Sequence, residues 1–105
     1  MINEAVVFSA LGDPTRLKII RRLSGANFFT INMVSSDLGL TRQGVRRHIQ
    51  VLVNADLVSL KPSGRDVLVR LNPVTLEKAK KIIIKLEQQW DQRLNALKNF
   101  VEGIN

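Results

Sequence analysis

Thr41-Arg42-Gln43-Gly44-Val45-Arg46-Arg47-His48-Ile49-Gln50-Val51-Leu52-Val53-Asn54-Ala55 is the stretch on which the fold turns. Its spacing predicts a helix from about Arg42 to Ala55, with Thr41 as N-cap because a threonine hydroxyl accepts a first-turn N–H. At 100° per residue, Val45, Ile49 and Leu52 fall on one side, while Gln43, Arg46, Arg47, Gln50 and Asn54 gather within about 100° on the other. One face can pack on a domain. The other presents long donors with no acid between Thr41 and Asn54, whereas a merely solvated face normally mixes signs. A major groove accepts a helix of this diameter; Arg reads guanine bidentately and Gln reads adenine. Arg42, Gln43, Arg46, Arg47 and Gln50 are therefore expected DNA contacts, and Thr41 can hold a phosphate with the free N–H groups of the first turn as well as cap the helix. Gly44 should cost about 1 kcal/mol relative to Ala inside a helix. A close backbone approach to DNA or to the preceding helix would explain it. His48 falls at the edge of the apolar face and reads as a packed histidine hydrogen-bonded locally.

Toward the N-terminus, Ile31 to Leu38 reads as a short helix with Ile31, Val34 and Leu38 on one side, and Gly39-Leu40 as a tight turn. Two short helices joined by such a turn make a helix-turn-helix. Phe28-Phe29-Thr30 reads as a short strand or an extended link. Asp13-Pro14 opens an earlier helix, with Asp as cap and Pro at its first position. That helix turns Leu17, Ile20 and Leu23 inward and Arg16, Lys18, Arg21 and Arg22 mostly outward, and Ser24-Gly25-Ala26-Asn27 stops it. A first helix is expected from about Asn3 to Leu11, with Val6, Val7, Ala10 and Leu11 at helical spacing and Gly12 at its end.

Toward the C-terminus, Val58 and Leu60, then Val67, Val69 and Leu71, alternate around Pro62-Ser63-Gly64-Arg65. This pattern predicts a β-hairpin, a wing placed just after the helix-turn-helix. Lys61 and Arg65 flank its turn and could reach an adjacent backbone or minor groove; ordinary turn chemistry explains them as well. Asn72-Pro73 restarts a helix that continues without Gly or Pro to about Glu102. Along it Ala79, Ile82, Leu86, Trp90, Leu94, Leu97, Val101 and Ile104 step by three or four residues. Such a helix is roughly 45 Å long, and a domain of this size has a radius of gyration of about 13 Å. Its own core cannot cover the stripe; a second copy could. Ile82, Leu86, Trp90, Leu94, Leu97 and Val101, with Val6 and Val7 of the first helix, form the expected dimer interface. The second reading helix would then lie about 34 Å away on the same face of the duplex.

The fold class expected is mainly α with a small β-hairpin: a winged helix-turn-helix in the order α-α-α-α-β-β-α, dimerising through terminal helices. One domain spans 1–105, with the helix-turn-helix at about 31–55, the wing at about 57–71 and the dimerisation helix at about 73–103. Lys and Arg number 16 against 9 Asp and Glu, and the net charge of +7 points to a polyanionic partner, most simply double-stranded DNA. With no cysteine, disulfides, thiolate catalysis and Cys-based metal sensing drop out, and His48, the only histidine, makes a transition-metal site improbable on chemical grounds. No cofactor or metal is expected. No Ser/His/Asp set or phosphate-loop glycine motif occurs, so an enzyme is not expected either. Met1-Ile2-Asn3-Glu4 has no basic n-region, and no apolar run approaches the roughly 20 residues of a membrane span. The expected location is cytoplasmic.

Ala10-Leu11-Gly12-Asp13-Pro14-Thr15-Arg16 resembles the A-L-x-D-P-T-R opening of the arsenic-repressor (ArsR) family of winged-helix regulators. Thr41 to Leu52 is similar to that family's S-R-x-A-V-S-x-H-L-x-V-L recognition helix, and Ala55-Asp56-Leu57-Val58 to its A-G-L-V exit. Gly64-Arg65 resembles its wing, and Gln89-Trp90-Asp91-Gln92-Arg93-Leu94 the last helix of the subgroup without metal sites. The resemblance implies a cytoplasmic homodimeric repressor that binds an imperfect inverted repeat. Family members often release DNA on binding metal. Ile31-Asn32-Met33-Val34-Ser35 stands where their Cys-x-Cys motif lies, and the last helix lacks histidine, so the inducer is unknown. Gly44 replaces the usual Ala, and Arg46 the usual small polar residue. A protein-interaction module on the same scaffold, binding an acidic partner, is the alternative.

Overall fold

A computed structural model describes residues 3–25 and 29–104. The order is α1 (Glu4–Leu11), α2 (Pro14–Ser24), β1 (Phe29–Thr30), α3 (Ile31–Leu38), α4 (Arg42–Asn54), β2 (Val58–Ser63), β3 (Asp66–Leu71) and α5 (Pro73–Gly103). Met1, Ile2, Ala26, Asn27 and Phe28, on which parts of the sequence reading fell, lie outside the described residues.

Each of the five helices starts on a side chain that accepts a first-turn N–H: Asn3 from Val6, Asp13 from Arg16, Thr30 from Met33, Thr41 from Gly44 and Asn72 from Val74. A capped first turn satisfies donors that have no partner within the helix. These short polar residues therefore set where the helices begin. Two helices end on matched Schellman motifs. At the end of α3, Gly39 (φ +64) sends its N–H to Ser36 O and Leu40 sends its own to Ser35 O. The Ser35 hydroxyl donates to Leu40 O and closes the same turn. At the end of α4, Asp56 N reaches Val53 O at 2.9 Å and Leu57 N reaches Leu52 O at 2.9 Å, with Asp56 at φ +59. The exit of α4 is then tied to the start of α5: Thr75 Oγ1 and Asn72 Nδ2 donate to Asp56 O at 2.6 and 3.0 Å.

The wing is larger than the expected hairpin. β1 pairs antiparallel with β3 (Phe29 with Val69, Thr30 with Leu68), so the sheet has three strands in the order β1-β3-β2. The pairing of Phe29–Thr30 turns on contact with a segment about 40 residues away, which local pattern does not carry. The hairpin turn is shorter than read. Ser63 pairs with Asp66, leaving only Gly64-Arg65 between the strands. Gly64 has φ +59 at the first central position, where two-residue hairpins take glycine. Pro62 lies within β2, an edge strand, where a missing N–H is tolerated.

The core gathers Val7 and Ala10 of α1, Ile19, Ile20 and Leu23 of α2, Ile31 and Val34 of α3, and Val45, Ile49 and Leu52 of α4 under Leu57, Val58, Val69 and Ala79. On α2 the fully buried residue is Ile19, while Leu17 is only half-buried. Because α2 meets α1, α4 and β3, it buries a wider arc than the narrow stripe read from spacing. α5 packs on the body only along its first turns, where Thr75 and Ala79 are buried, Leu76 lies against the core and Ile82 is half-buried. From Ile83 onward it is exposed, and the molecule measures 71 × 29 × 22 Å. Val7 corrects the expected interface: at 1% exposure it belongs to the chain's own core, while Val6 beside it is exposed. Among the described residues no helix is long and apolar enough to cross a membrane.

Asp56 stands where the family pattern has Gly, and its positive φ is the physical reason for that Gly. Asp56→Gly should raise the stability of the chain by about 0.5–1 kcal/mol. Urea unfolding reads this as a higher midpoint at unchanged slope; a lower midpoint would mean that the aspartate side chain contributes more than its backbone strain costs.

Candidate nucleic-acid interface

α4 sits with Val45, Ile49 and Leu52 fully buried, and this fixes the rotation of the helix about its axis. Arg42, Gln43, Arg46, Arg47, Gln50 and Asn54 are all exposed as a result. Arg42, Gln43 and Arg46 line a shallow open hollow at the start of the helix. Gln50 Nε2 donates to Asn54 Oδ1 at 2.9 Å, one turn further on. Among the described residues, ion pairs join Arg22 to Asp37 and Lys98 to Glu102, His48 Nδ1 lies 3.8 Å from Asp13 Oδ2, and none of these contacts engages Arg46 or Arg47. These two guanidinium groups keep their hydrogen-bonding capacity for an outside acceptor.

Thr41 is exposed, and its hydroxyl accepts from Gly44 N at 3.0 Å. A Cβ at Gly44 would stand 3.2 Å from that same hydroxyl and meet no atom of α3 within 4 Å. Close packing on the preceding helix is therefore not the reason for this glycine. Lys61 and Arg65 are exposed on the wing, Arg65 in the turn itself and Lys61 on β2 opposite Leu68.

Two groups of polar residues lie near α4, and residue spacing foretold neither. The first lies at its start. Asp66, the first residue of β3, is held below the usual carboxylate pKa chiefly by the N–H of Val67, 2.8 Å away. Partial desolvation opposes this, while the Thr30 hydroxyl and the positive charge of Arg42 add to it. The charge of Arg42 is thus felt at the wing, though no ion pair joins Arg42 to Asp66 among the described residues.

The second lies behind the helix. Arg16, expected to point mostly outward, turns back instead. Its Nε donates to Ala10 O at 2.8 Å, covering a carbonyl at the end of α1, and its Nη2 to Ser9 O at 3.4 Å, an oxygen that also accepts the Gly12 N–H. Its Nη1 lies 3.5 Å from His48 Nδ1 on α4, and the same nitrogen lies 3.8 Å from Asp13 Oδ2. His48 is half-buried, as expected, but its polar neighbours come from α2 and its cap, not from its own helix. The Asp13-Pro14-Thr15-Arg16 motif is therefore a clasp: Asp13 caps α2, Arg16 closes α1, and both meet the rear edge of α4. Asp13 is held below its ordinary pKa first by the Arg16 N–H, then by the nearby Arg16 and His48 charges, with desolvation opposing.

A helix-turn-helix whose second helix presents a basic, unpaired face beside a basic-tipped wing is a winged-helix DNA-binding domain. The comparisons narrow the class. A family model described as a helix-turn-helix domain matches residues 11–60. The chain is 39% identical over 69 residues to the HTH-type transcriptional regulator YuzN of Bacillus subtilis (strain 168), covering 60% of this chain and 75% of the relative. It is 28% identical over 71 residues to the transcriptional repressor SdpR of the same organism, covering 68% and 78%. Its fold matches the ArsR-like transcriptional regulator from Rhodococcus sp. RHA1 at a TM-score of 0.79 and 30% identity, over 92% of this chain and 91% of that one. The chain belongs to the ArsR-like family of winged-helix transcriptional regulators.

The two depressed carboxylates set a pH dependence. A group whose folded pKa lies below its unfolded value stabilises the fold above the unfolded pKa and loses that contribution as pH falls through the folded one. Asp13 and Asp66 should therefore make the chain progressively less stable below about pH 4. Asn caps helices as well as Asp does. The pair Asp13→Asn and Asp66→Asn should accordingly flatten the decline between about pH 4 and 2 while leaving the fold intact. Thermal melts across that range test it, and an unchanged slope in the double variant would place the acid sensitivity elsewhere.

Proposed function

We propose that this chain is a homodimeric transcriptional repressor that reads an inverted-repeat operator in the cytoplasm through two copies of α4. The observation that carries the reading is the unpaired Arg46/Arg47 face, aimed outward by the buried side of the same helix. Arg46, Arg47, Gln43 and Gln50 read base edges; Thr41, Arg42, Lys61 and Arg65 hold phosphates. A relative named as a transcriptional repressor supports the direction of regulation.

The stripe of α5 supports the dimer. Leu86 and Leu94 stand four residues either side of Trp90, and Ile83 and Leu97 stand seven either side; all five are exposed. A helix with that mirror spacing meets an antiparallel copy of itself layer by layer, with Trp90 at the two-fold axis. With Phe100, Val101 and Ile104, eight exposed apolar side chains of order 100 Å² each offer roughly 800 Å² per protomer, the size of a standard interface.

Binding should weaken steeply with salt, since several phosphates are neutralised per dimer. Arg46→Ala or Arg47→Ala should cost about 1–3 kcal/mol on a selected site and clearly less on random duplex. Equal losses on both would remove base reading, and a selection from random duplexes that returns no preferred sequence would favour a protein-interaction module instead. Separately, Trp90→Ala combined with Leu94→Ala should shift the chain toward monomer in sedimentation at micromolar concentration. An unchanged mass would take the stripe out of the interface.

A further inference from the structure

We propose that Asn54 is a positioning residue for base recognition, and that it holds the Gln50 amide in the orientation that fits an adenine. The inference rests on the reading of α4 as the DNA-contacting helix. Gln43, Arg47, Gln50 and Asn54 form one row along the exposed side of α4, spaced four, three and four residues apart. Within it Gln50 and Asn54 tie their end groups to each other, by the 2.9 Å bond from Gln50 Nε2 to Asn54 Oδ1. Asn54 is a firm base for that bond. It is the last residue of α4, one beyond the half-buried Val53 that follows the anchoring Leu52, and directly before the Schellman turn at Ala55-Asp56-Leu57.

The chemistry follows from counting donors and acceptors. A Gln amide carries two N–H donors and one carbonyl oxygen. With one N–H given to Asn54, Gln50 keeps one donor beside one acceptor. Adenine offers the complement in the major groove, an N7 acceptor beside an N6 donor. Guanine offers N7 and O6, two acceptors, and would set its O6 against the Gln50 oxygen. A Gln50 amide turned by half a rotation would bring its own oxygen onto Asn54 Oδ1, acceptor against acceptor. With the Asn54 carbonyl turned toward Gln50, it selects the rotamer, and the rotamer selects the base.

The test is selection from a random duplex pool, followed by binding titrations on the selected site with each base at every position, for the full-length wild type and three variants. Gln50→Ala identifies the position that Gln50 reads. At that position wild type should prefer adenine by about tenfold or more. Asn54→Ala should reduce the preference to under about twofold, with affinity for random duplex, salt dependence and melting temperature unchanged. Asn54→Asp should keep the adenine preference, because a carboxylate can only accept; its added negative charge weakens binding to all sequences alike. A full adenine preference retained in Asn54→Ala overturns the inference, as does a switch from guanine to adenine in Asn54→Asp. So does a Gln50→Ala variant whose base preferences match wild type everywhere; if Arg46→Ala still changes them, base reading by α4 survives that result. A wild type with no preferred sequence overturns the underlying reading as well.

Discussion

The burial of Val45, Ile49 and Leu52 is the constraint on which the rest of this molecule depends. Each is fully enclosed, and burying an aliphatic side chain of this size stabilises by about 1.5–3 kcal/mol. Three together match a large part of the net stability of a small domain, about 5–15 kcal/mol. The caps and turns around α4 contribute about 1 kcal/mol each. The apolar side therefore decides how α4 is rotated, and the polar residues trim where it begins and ends. Once that rotation is set, Gln43, Arg46, Arg47, Gln50 and Asn54 have only solvent or a partner to face. The basic surface follows from the core.

Burial fixes a rotation but not a tilt, and the polar joints supply the rest. Asp13, Arg16 and His48 bring the end of α1, the start of α2 and the rear of α4 to one point. Arg22 Nε and Nη2 both reach Asp37 Oδ2, at 2.8 and 2.7 Å, and join α2 to α3; the pair is too exposed to be worth more than about 1 kcal/mol. Asn72 and Thr75 tie α5 to the turn that ends α4. These contacts are individually modest. Their effect is geometric, because each removes a direction in which two helices could slide.

What could be read from the chain before the structure was whatever is local. Helix caps at Asp13, Thr41 and Asn72, the turn at Gly39 and the apolar periodicity of α4 act within one or two turns, and they appear where their residue types demand. What could not be read depends on distant partners. β1 exists because β3 offers it an edge. Ile19 is buried because three elements converge on α2. Arg16 folds back because the end of α1 offers it the Ala10 carbonyl. Asp66 acts on Arg42 only because the wing returns to the start of α4. The candidate DNA contacts were legible by type and face, since exposure on a helix follows from what its other side buries. Their differences were not, because the effect of Arg42 on Asp66 and the anchored amide of Gln50 come from particular neighbours.

Val6 and Val7 show how one short helix serves two surfaces. Val7 packs into the core that carries α4, and Val6, one residue earlier, faces outward. α1 also meets α5 and delivers its last carbonyls to Arg16, which approaches His48 on α4. Among the described residues α1 touches both the long helix α5 and α4. In the proposed dimer the separation of the two reading helices is then set by rigid packing through α1. DNA presents successive major-groove faces about 34 Å apart, so a fixed separation is what lets two modest reading faces act as one site. The operator spacing is on this view a property of the α1 joint as much as of α4, and the clasp at Asp13 and Arg16 bears on specificity without touching a base.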